Sequence, residues 1–484
     1  SDHGKVTHMI AKPLPYPDLS AIQDALRSGA TSCRALVEHY LQNIELCQDL
    51  NVYVEVFADE ALKRADTLDQ SGTSKMGKLR GAVISIKDVI SYEGHALTAG
   101  SKILDGYEAT FSATAVERLL AEDAIIIGRV NCDEFAMGSD NQTSCYGPVR
   151  NGLDPARVPG GSSGGSAVAV QTHQCLISVG SDTGGSVRQP ASFCGVMGFK
   201  PSYGRISRHG LIAYGSSFDQ IGFIAHHFDD LHKVYEVVKG PDQYDGTLVY
   251  FPNEDETALE DRAFGESLRF AVLGETLTHV GLQPAVKARF EEQLQQIRDK
   301  GHGVDVLPFD LLDYVIPAYY VLTSAEASSN LSRYDGIRYG YRSKDAKDLA
   351  GMYTQTLTEG FGDEVKRRIL LGTFVLSVGY YDAYFAKAQR VRRLIKDQFD
   401  QWLDQYDAIL IPTAPTTAWR LDEKKSPVEM YLADVFSVLA NLCGTPALSF
   451  PIGVDDQNLP VGMQLMGARF QEENLFDLAK EIYS

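Results

Sequence analysis

One lysine and two glycine–serine loops carry the covalent chemistry this sequence can offer. Lys87 follows the apolar run Val83-Ile84-Ser85-Ile86. The first loop reads Pro159-Gly160-Gly161-Ser162-Ser163-Gly164-Gly165-Ser166, and the second Gly180-Ser181-Asp182-Thr183-Gly184-Gly185-Ser186. Glycines let backbones approach and aim several N–H groups into one small space, while serines add hydroxyls that attack or relay a proton. Four chemistries are open to such loops. Residues 160–164 satisfy G-x-S-x-G, but that nucleophile elbow needs an acid and then a late histidine. The histidines at 209, 226, 227, 232, 279 and 302 sit in no recognisable catalytic turn. A phosphate cradle would end in Gly-Lys-Ser/Thr, which is missing here. A flexible linker would not be flanked by apolar periodic segments. The remaining option is a serine–lysine variant of triad logic, in which Ser186 attacks a carbonyl and Ser162 passes its proton to a neutral Lys87. A lysine ending a strand ordinarily points to water. As a base it must be buried, so that its pKa falls from about 10.4 towards neutrality. The N–H groups of Thr183, Gly184 and Gly185 then form an oxyanion hole, each donor contributing roughly 3 kcal/mol to the transition state.

The elements that must position these groups alternate. Residues 81–86 read as a strand, 114–122 as a helix and 124–127 as a short strand. Residues 167–170 begin a short helix that leads into a strand at 176–179. Residues 199–223 are rich in Gly, Ser and aromatics, as suits loops around a pocket, and 244–260 read as a polar surface connection. A second alternation starts at 270–273, with a helix over 284–300 opened by proline and closed by Gly301. Residues 310–405 are mostly helical. Their last helix places Val391, Leu394, Ile395, Trp402 and Leu403 on its apolar side and feeds strands at 408–411, 447–450 and 463–466. At the start, Ser20-x-x-Gln23 reads as a capping box with Gly29 as the stop. A second helix from Thr31 aligns Leu36, Val37, Tyr40, Leu41 and Ile44. The pattern predicts an α/β fold whose large mixed β-sheet is covered by helices on both faces, with sites at strand ends. It also predicts one domain over 10–484: a helical N-terminal part at 10–70, the loop-bearing core at 71–240 and a helical excursion at 310–405. Residues 1–9 read as an added leader ahead of a native start near Met9.

Bulk properties narrow the class. The 484 residues are 44% hydrophobic and 23% charged, enough for a large buried core. A net charge of -19 repels nucleic acid phosphates, so any RNA partner would be held by another subunit. The seven cysteines are scattered with no CxxC pair, which suits free thiols in a reducing cytosol and indicates no metal site. No apolar run approaches the length of a membrane span.

The string from 159 to 190, followed by Phe193-Cys194-Gly195 and Gly198-Phe199-Lys200-Pro201, resembles the amidase signature family. Within that family the lysine ending a strand, the first serine of the Gly-Gly-Ser-Ser loop (beside a cis peptide) and the serine after the second Gly-Gly form the triad. The resemblance therefore implies Lys87, Ser162 and Ser186 as that triad, with Asp182 and Arg188 in support. The spacings agree: 75 residues from the lysine to the first serine and 24 more to the nucleophile. Asn131-Cys132-Asp133-Glu134-Phe135-Ala136-Met137-Gly138-Ser139 and the stretches at 200–205, 325–330 and 361–368 narrow the resemblance to the glutaminase (A) subunits of glutamyl-tRNA(Gln)/aspartyl-tRNA(Asn) amidotransferases. Those subunits hydrolyse L-glutamine and send ammonia to a B subunit, with a C subunit clamping the pair. The resemblance implies these partners, tRNA contacted only through them, and no metal or organic cofactor on this chain. Glutamine's charged head needs one cation and one anion. The resemblance points to Arg367 for the carboxylate, with Arg368 as the adjacent alternative, to Asp434 for the ammonium, and to Met137 as pocket lining. A free-standing amidase acting on a small amide, and an inactive scaffold subunit, are the rival readings.

Overall fold

The computed structural model describes residues 11–251 and 267–483. The leader read at 1–9 and most of the polar connection's second half lie outside these residues. Eleven strands form one sheet: β1 (Tyr53–Val56), β2 (Val83–Lys87), β3 (Ile125–Val130), β4 (Ile177–Asp182), β5 (Met197–Lys200), β6 (Gln220–Ala225), β7 (Arg269–Leu273), β8 (Gly303–Leu307), β9 (Ala408–Pro412), β10 (Ala447–Val454) and β11 (Pro460–Met466). Their order is β1-β3-β2-β4-β6-β5-β10-β11-β9-β7-β8. The sheet is mixed, as the alternation predicts. Parallel ladders join β3, β2 and β4 near one end and β9, β7 and β8 at the other. Antiparallel ladders run from β4 to β9 through the centre.

Both faces of the sheet are covered. Strands β2, β3 and β4 are buried at every position, and a strand hidden on both faces has no alternation to show. The period of two appears instead in which core each side chain enters. Phe270, Val272, Ala408 and Leu410 join the main core, whereas Ala271, Leu273, Ile409 and Ile411 join a second core. The helical excursion covers that second core. Its long helix Leu312–Asn330 packs against Asp363–Leu376 and Lys387–Leu403. On the main-core side, Gly164–Gln171 lies buried against β2 and β4, and Phe228–Val238 lies against β6. Among the described residues, no single helix is long and apolar enough to cross a membrane.

Three local expectations change. The first helix, Leu19–Ser28, is capped by Asp18, whose carboxylate accepts from the Ala21 N–H at 2.9 Å, rather than by a box at Ser20. An Asp two residues earlier supplies the side-chain acceptor instead, and the helix starts there. Gly29 does end it, at φ 75°. Leu394 is 56% exposed, so the helix Lys387–Leu403 buries Ile395, Phe399, Trp402 and Leu403 without it. Strand β1, three residues of intermediate burial followed by the exposed Val56 and so without alternation, pairs with β3 and goes unannounced by the sequence pattern.

Candidate active site

Parallel neighbours β2 and β4 end side by side, which brings Lys87 to the tip of one and the second glycine–serine loop to the tip of the other. The first loop leads into the helix Gly164–Gln171, which packs on the same two strands. Its Gly161–Ser162 peptide is cis, and the Ser163 N–H donates to the Ser186 carbonyl at 3.1 Å. Lys87 is fully buried. Its Nζ lies 2.6 Å from Ser162 Oγ, 2.9 Å from Ser163 Oγ and 2.9 Å from Ser181 Oγ. Burial outweighs the surrounding acidic groups and pulls its pKa from 10.5 down to about 8. Of the three residues expected as a triad, Lys87 and Ser162 are inaccessible while Ser186 retains 9% exposure. The residue expected to attack is the one an incoming molecule can reach.

The turn holding Ser186 rests on a buried ion pair. Asp182 and Arg188 are both inaccessible and lie 3.1 Å apart. Arg188 also donates to Gln464, to the Ser437 carbonyl and to Asn441. Burial alone would raise the Asp182 carboxyl, but the Arg188 charge and its hydrogen bonds bring it down to about 2. Asp182 accepts from the N–H groups of Gly185 (2.9 Å) and Val187 (3.2 Å). This corrects the expected oxyanion set, because the Gly185 N–H is turned onto a carboxylate. The N–H groups of Thr183 and Gly184 have no partner among the described hydrogen bonds. Both glycines are required by crowding. A Cβ at Gly184 would stand 2.2 Å from Tyr319 Oη, and one at Gly185, where φ is 110°, 2.2 Å from Ser437 Oγ. The Thr183 hydroxyl donates to Asp219 at 2.5 Å, and Ser437 Oγ donates to the Gly184 carbonyl at 2.7 Å. The loop is thus pinned from both sides.

A cavity of about 490 Å³ is lined in part by Gly138, Ser139, Glu364, Arg367, Arg368 and Tyr431; no residue of the Ser186 turn lines it, and Ser139, whose carbonyl accepts from Gln189, links the two. The two arginines differ sharply. Arg367 lies half exposed at the rim, paired with Glu364. Arg368 is buried, bonded to Glu364 (2.7 Å) and Tyr214 Oη (2.7 Å), with its guanidinium 5.1 Å over the ring of Tyr320. Tyr320 in turn donates to Asp434 at 2.9 Å, as does Ser139 at 2.6 Å. Burial lifts the Asp434 carboxyl to about 7. A cation and an anion therefore share one tyrosine, and the cation is Arg368, one residue beyond the position first expected. Ser437 joins Asp434 to Gly184, its single hydroxyl proton directed mainly at the Gly184 carbonyl at 2.7 Å with the Asp434 main-chain carbonyl at 3.2 Å. Met137 is fully buried in the main core, and the wall beside it is made by Gly138 and Ser139.

Residues 35–476 match the Amidase family. The chain belongs to the amidase family. Among curated relatives, it is 49% identical over 464 residues to the glutamyl-tRNA(Gln) amidotransferase A subunit of Chlorobium phaeobacteroides (strain BS1), covering 95% of this chain and 97% of the relative. The protein of the same description from Prosthecochloris aestuarii is 48% identical over 472 residues, covering 96% and 98%. A crystal structure of the glutamyl-tRNA(Gln) amidotransferase A subunit from Thermotoga maritima superposes with a TM-score of 0.74 at 41% identity, covering 91% of this chain and 89% of that one. Sequence reasoning about this amidase missed Ser163 and Ser181 as neighbours of the lysine, and Tyr320, Ser437 and Asp219 as supports. Nothing local marks Ser181: only the pairing of β4 with β2 sets this residue, one before Asp182, beside the lysine.

Proposed function

We propose that this chain, as one domain over 10–484, is the glutamine-hydrolysing subunit of a tRNA-dependent amidotransferase. The observation that carries the chemistry is the buried Lys87 amine, its charge disfavoured, 2.6 Å from Ser162 Oγ. Glutamine binds with its carboxylate on Arg368 and its ammonium on Asp434, which fixes the reach of its side-chain amide. Ser186 Oγ attacks the amide carbon. Its proton passes to Ser162, whose own proton goes to Lys87. The N–H groups of Thr183 and Gly184 stabilise the tetrahedral oxyanion, and Asp182 holds the turn that aims them. The proton then returns along the same path to the leaving nitrogen. Ammonia departs, and a γ-glutamyl ester remains on Ser186. Water, activated by the same base, cleaves that ester to glutamate. The identity to glutamyl-tRNA(Gln) amidotransferase relatives supports B and C partners, with ammonia passed to the B subunit and tRNA held there.

The test is ammonia release from L-glutamine by the full chain, alone and with B and C subunits, charged tRNA and ATP. Stimulation by the partners, abolished in Ser186→Ala, supports the proposal. So does trapping of the ester by hydroxylamine as glutamyl hydroxamate. Turnover of simple amides with glutamine ignored would assign the chain to free-standing amidases instead. Absence of any amide turnover would leave the scaffold reading.

A further inference from the structure

Three hydroxyl oxygens surround Lys87 Nζ, those of Ser162, Ser163 and Ser181, at 2.6, 2.9 and 2.9 Å. A neutral primary amine has two N–H bonds and one lone pair. To take a proton from Ser162 the lone pair must face that serine, so both N–H bonds must point elsewhere. Ser163 is already fixed as one acceptor, because its own hydroxyl donates to the Ser181 carbonyl at 3.1 Å. The second N–H has two oxygens left, both of Ser181: its Oγ at 2.9 Å and its main-chain carbonyl at 3.5 Å, of which the hydroxyl is much the nearer. From this geometry we propose that Ser181 is a positioning residue, acting with Ser163 to turn the Lys87 lone pair onto Ser162. The inference rests on the triad reading above.

Ser181 is well placed for this part. It sits on β4, paired with Ile221 of β6, and is 3% exposed, so its hydroxyl has a fixed direction and little competition from water. Without that hydroxyl the second N–H is left with only the Ser181 carbonyl at 3.5 Å, too long for a good hydrogen bond, and a poorly satisfied donor in a buried site costs free energy unless it finds a better partner. The amine then rotates to donate to Ser162, which makes it a hydrogen-bond donor where a base is needed. Ser181 also matters after proton transfer. The ammonium has three N–H bonds and meets three hydroxyl oxygens within 2.9 Å, with the Ser181 carbonyl further off at 3.5 Å, so removing one of the near oxygens disfavours the charged form.

Two readouts separate this part from a merely structural one, both taken on the full chain with L-glutamine. In Ser181→Ala, kcat on the alkaline plateau falls by about 10- to 100-fold with KM within about threefold, as for a mis-aimed catalytic group. The acid limb of kcat/KM moves to lower pH by about half to one unit, because the ammonium has lost an acceptor. Ser181→Thr, which keeps the hydroxyl, returns the limb towards the parent. Ser181→Cys, nearly isosteric with a weaker acceptor, shows an intermediate shift and serves if the alanine variant does not fold. A limb that stays fixed or moves to higher pH in a folded Ser181→Ala or Ser181→Cys variant, or a loss confined to KM, overturns the inference. Lys87→Ala is the control. If it is inactive while the Ser181 limb is unmoved, only the inference falls; if it retains parent activity, the triad reading falls and takes the inference with it.

Discussion

With Lys87 as the proposed base and burial lowering its pKa to about 8, a definite pH dependence of turnover is expected. The base is competent only when neutral. One proton must be lost, so kcat/KM rises tenfold per pH unit below the pKa and levels above it. About a tenth of the enzyme carries a neutral lysine at pH 7 and about a hundredth at pH 6. The assay is steady-state ammonia release from L-glutamine between pH 6 and 9.5, with kcat/KM taken from initial rates at each pH. Asp434 adds a second group, because burial raises its carboxyl to about 7 and only the carboxylate pairs with the substrate's ammonium. Its ionisation steepens the acid side below pH 7. In Asp434→Asn that extra steepness disappears, while the limb at about 8 remains. A flat profile between pH 6 and 8 would refute the argument that a buried lysine is the base. So would a kcat/KM still rising tenfold per unit at pH 9.5, which would mean that burial leaves the amine unperturbed.

Other consequences are open to direct measurement. Arg368→Ala should raise the KM for glutamine by about 10²-fold, from loss of a charge-assisted pair in a buried site, whereas Arg367→Ala at the rim should change it less than about threefold. Equal effects would remove the distinction between the two. Gly185→Ala must push a methyl group into Ser437, where Oγ lies 2.2 Å from the built position, and hold φ at 110°. Because Ser437 fixes the Gly184 carbonyl, we expect at least a 10²-fold loss of kcat, partly restored by adding Ser437→Gly. Arg188→Met strands the buried Asp182 carboxylate and should lower stability by about 3–5 kcal/mol in urea unfolding; a loss under 1 kcal/mol would show that the pair is not holding the turn. His226, stacked 4.9 Å from His173 and bonded to the Val170 carbonyl, is lowered by burial to about 4. Its neutral form is favoured only in the folded state, so its contribution is complete above pH 6.5 and is lost as pH falls towards 4. That loss reaches at most about 3 kcal/mol, and less where water reaches the ring. In His226→Gln the acid loss of stability should shrink, and an unchanged pH dependence would count against this assignment.

Which features were legible in the sequence follows from how each residue type signals its role. The lysine and the two glycine–serine loops stood out because their glycines meet two demands that are local and visible: a turn with φ near 110° and contacts that exclude a Cβ. The parallel strands were legible as apolar runs because burial on both faces removes alternation. Ser181 was not, since a serine within a strand is as easily a satisfied core hydroxyl, and Ser85 bonded to Ser178 at 2.7 Å between the same two strands is that case. What distinguishes Ser181 is the lysine across the ladder, and strand pairing between residues 94 apart is not written locally.

The arginine pair shows the same limit at a finer scale. Adjacent helix positions point about 100° apart, so one residue decides between rim and interior. The sequence around Glu364-Val365-Lys366-Arg367-Arg368 is charged on nearly every side and gives no apolar stripe to mark the inward face. That face is set by tyrosines from elsewhere in the chain. Tyr214, Tyr320 and Tyr431 all approach the Arg368 guanidinium within 5.1–5.6 Å, and none approaches Arg367 in the same way among the described contacts. An arginine gains most from burial where flat rings cover its faces and a carboxylate takes its edge, because its weakly hydrated plane loses less on leaving water than an ammonium would. Arg368 has both, and one of its covering tyrosines hands a hydroxyl to Asp434. In the proposed reading, recognition of a substrate carrying both charges rests on Tyr320 as the element shared by Arg368 and Asp434, three side chains that only the folded chain brings together.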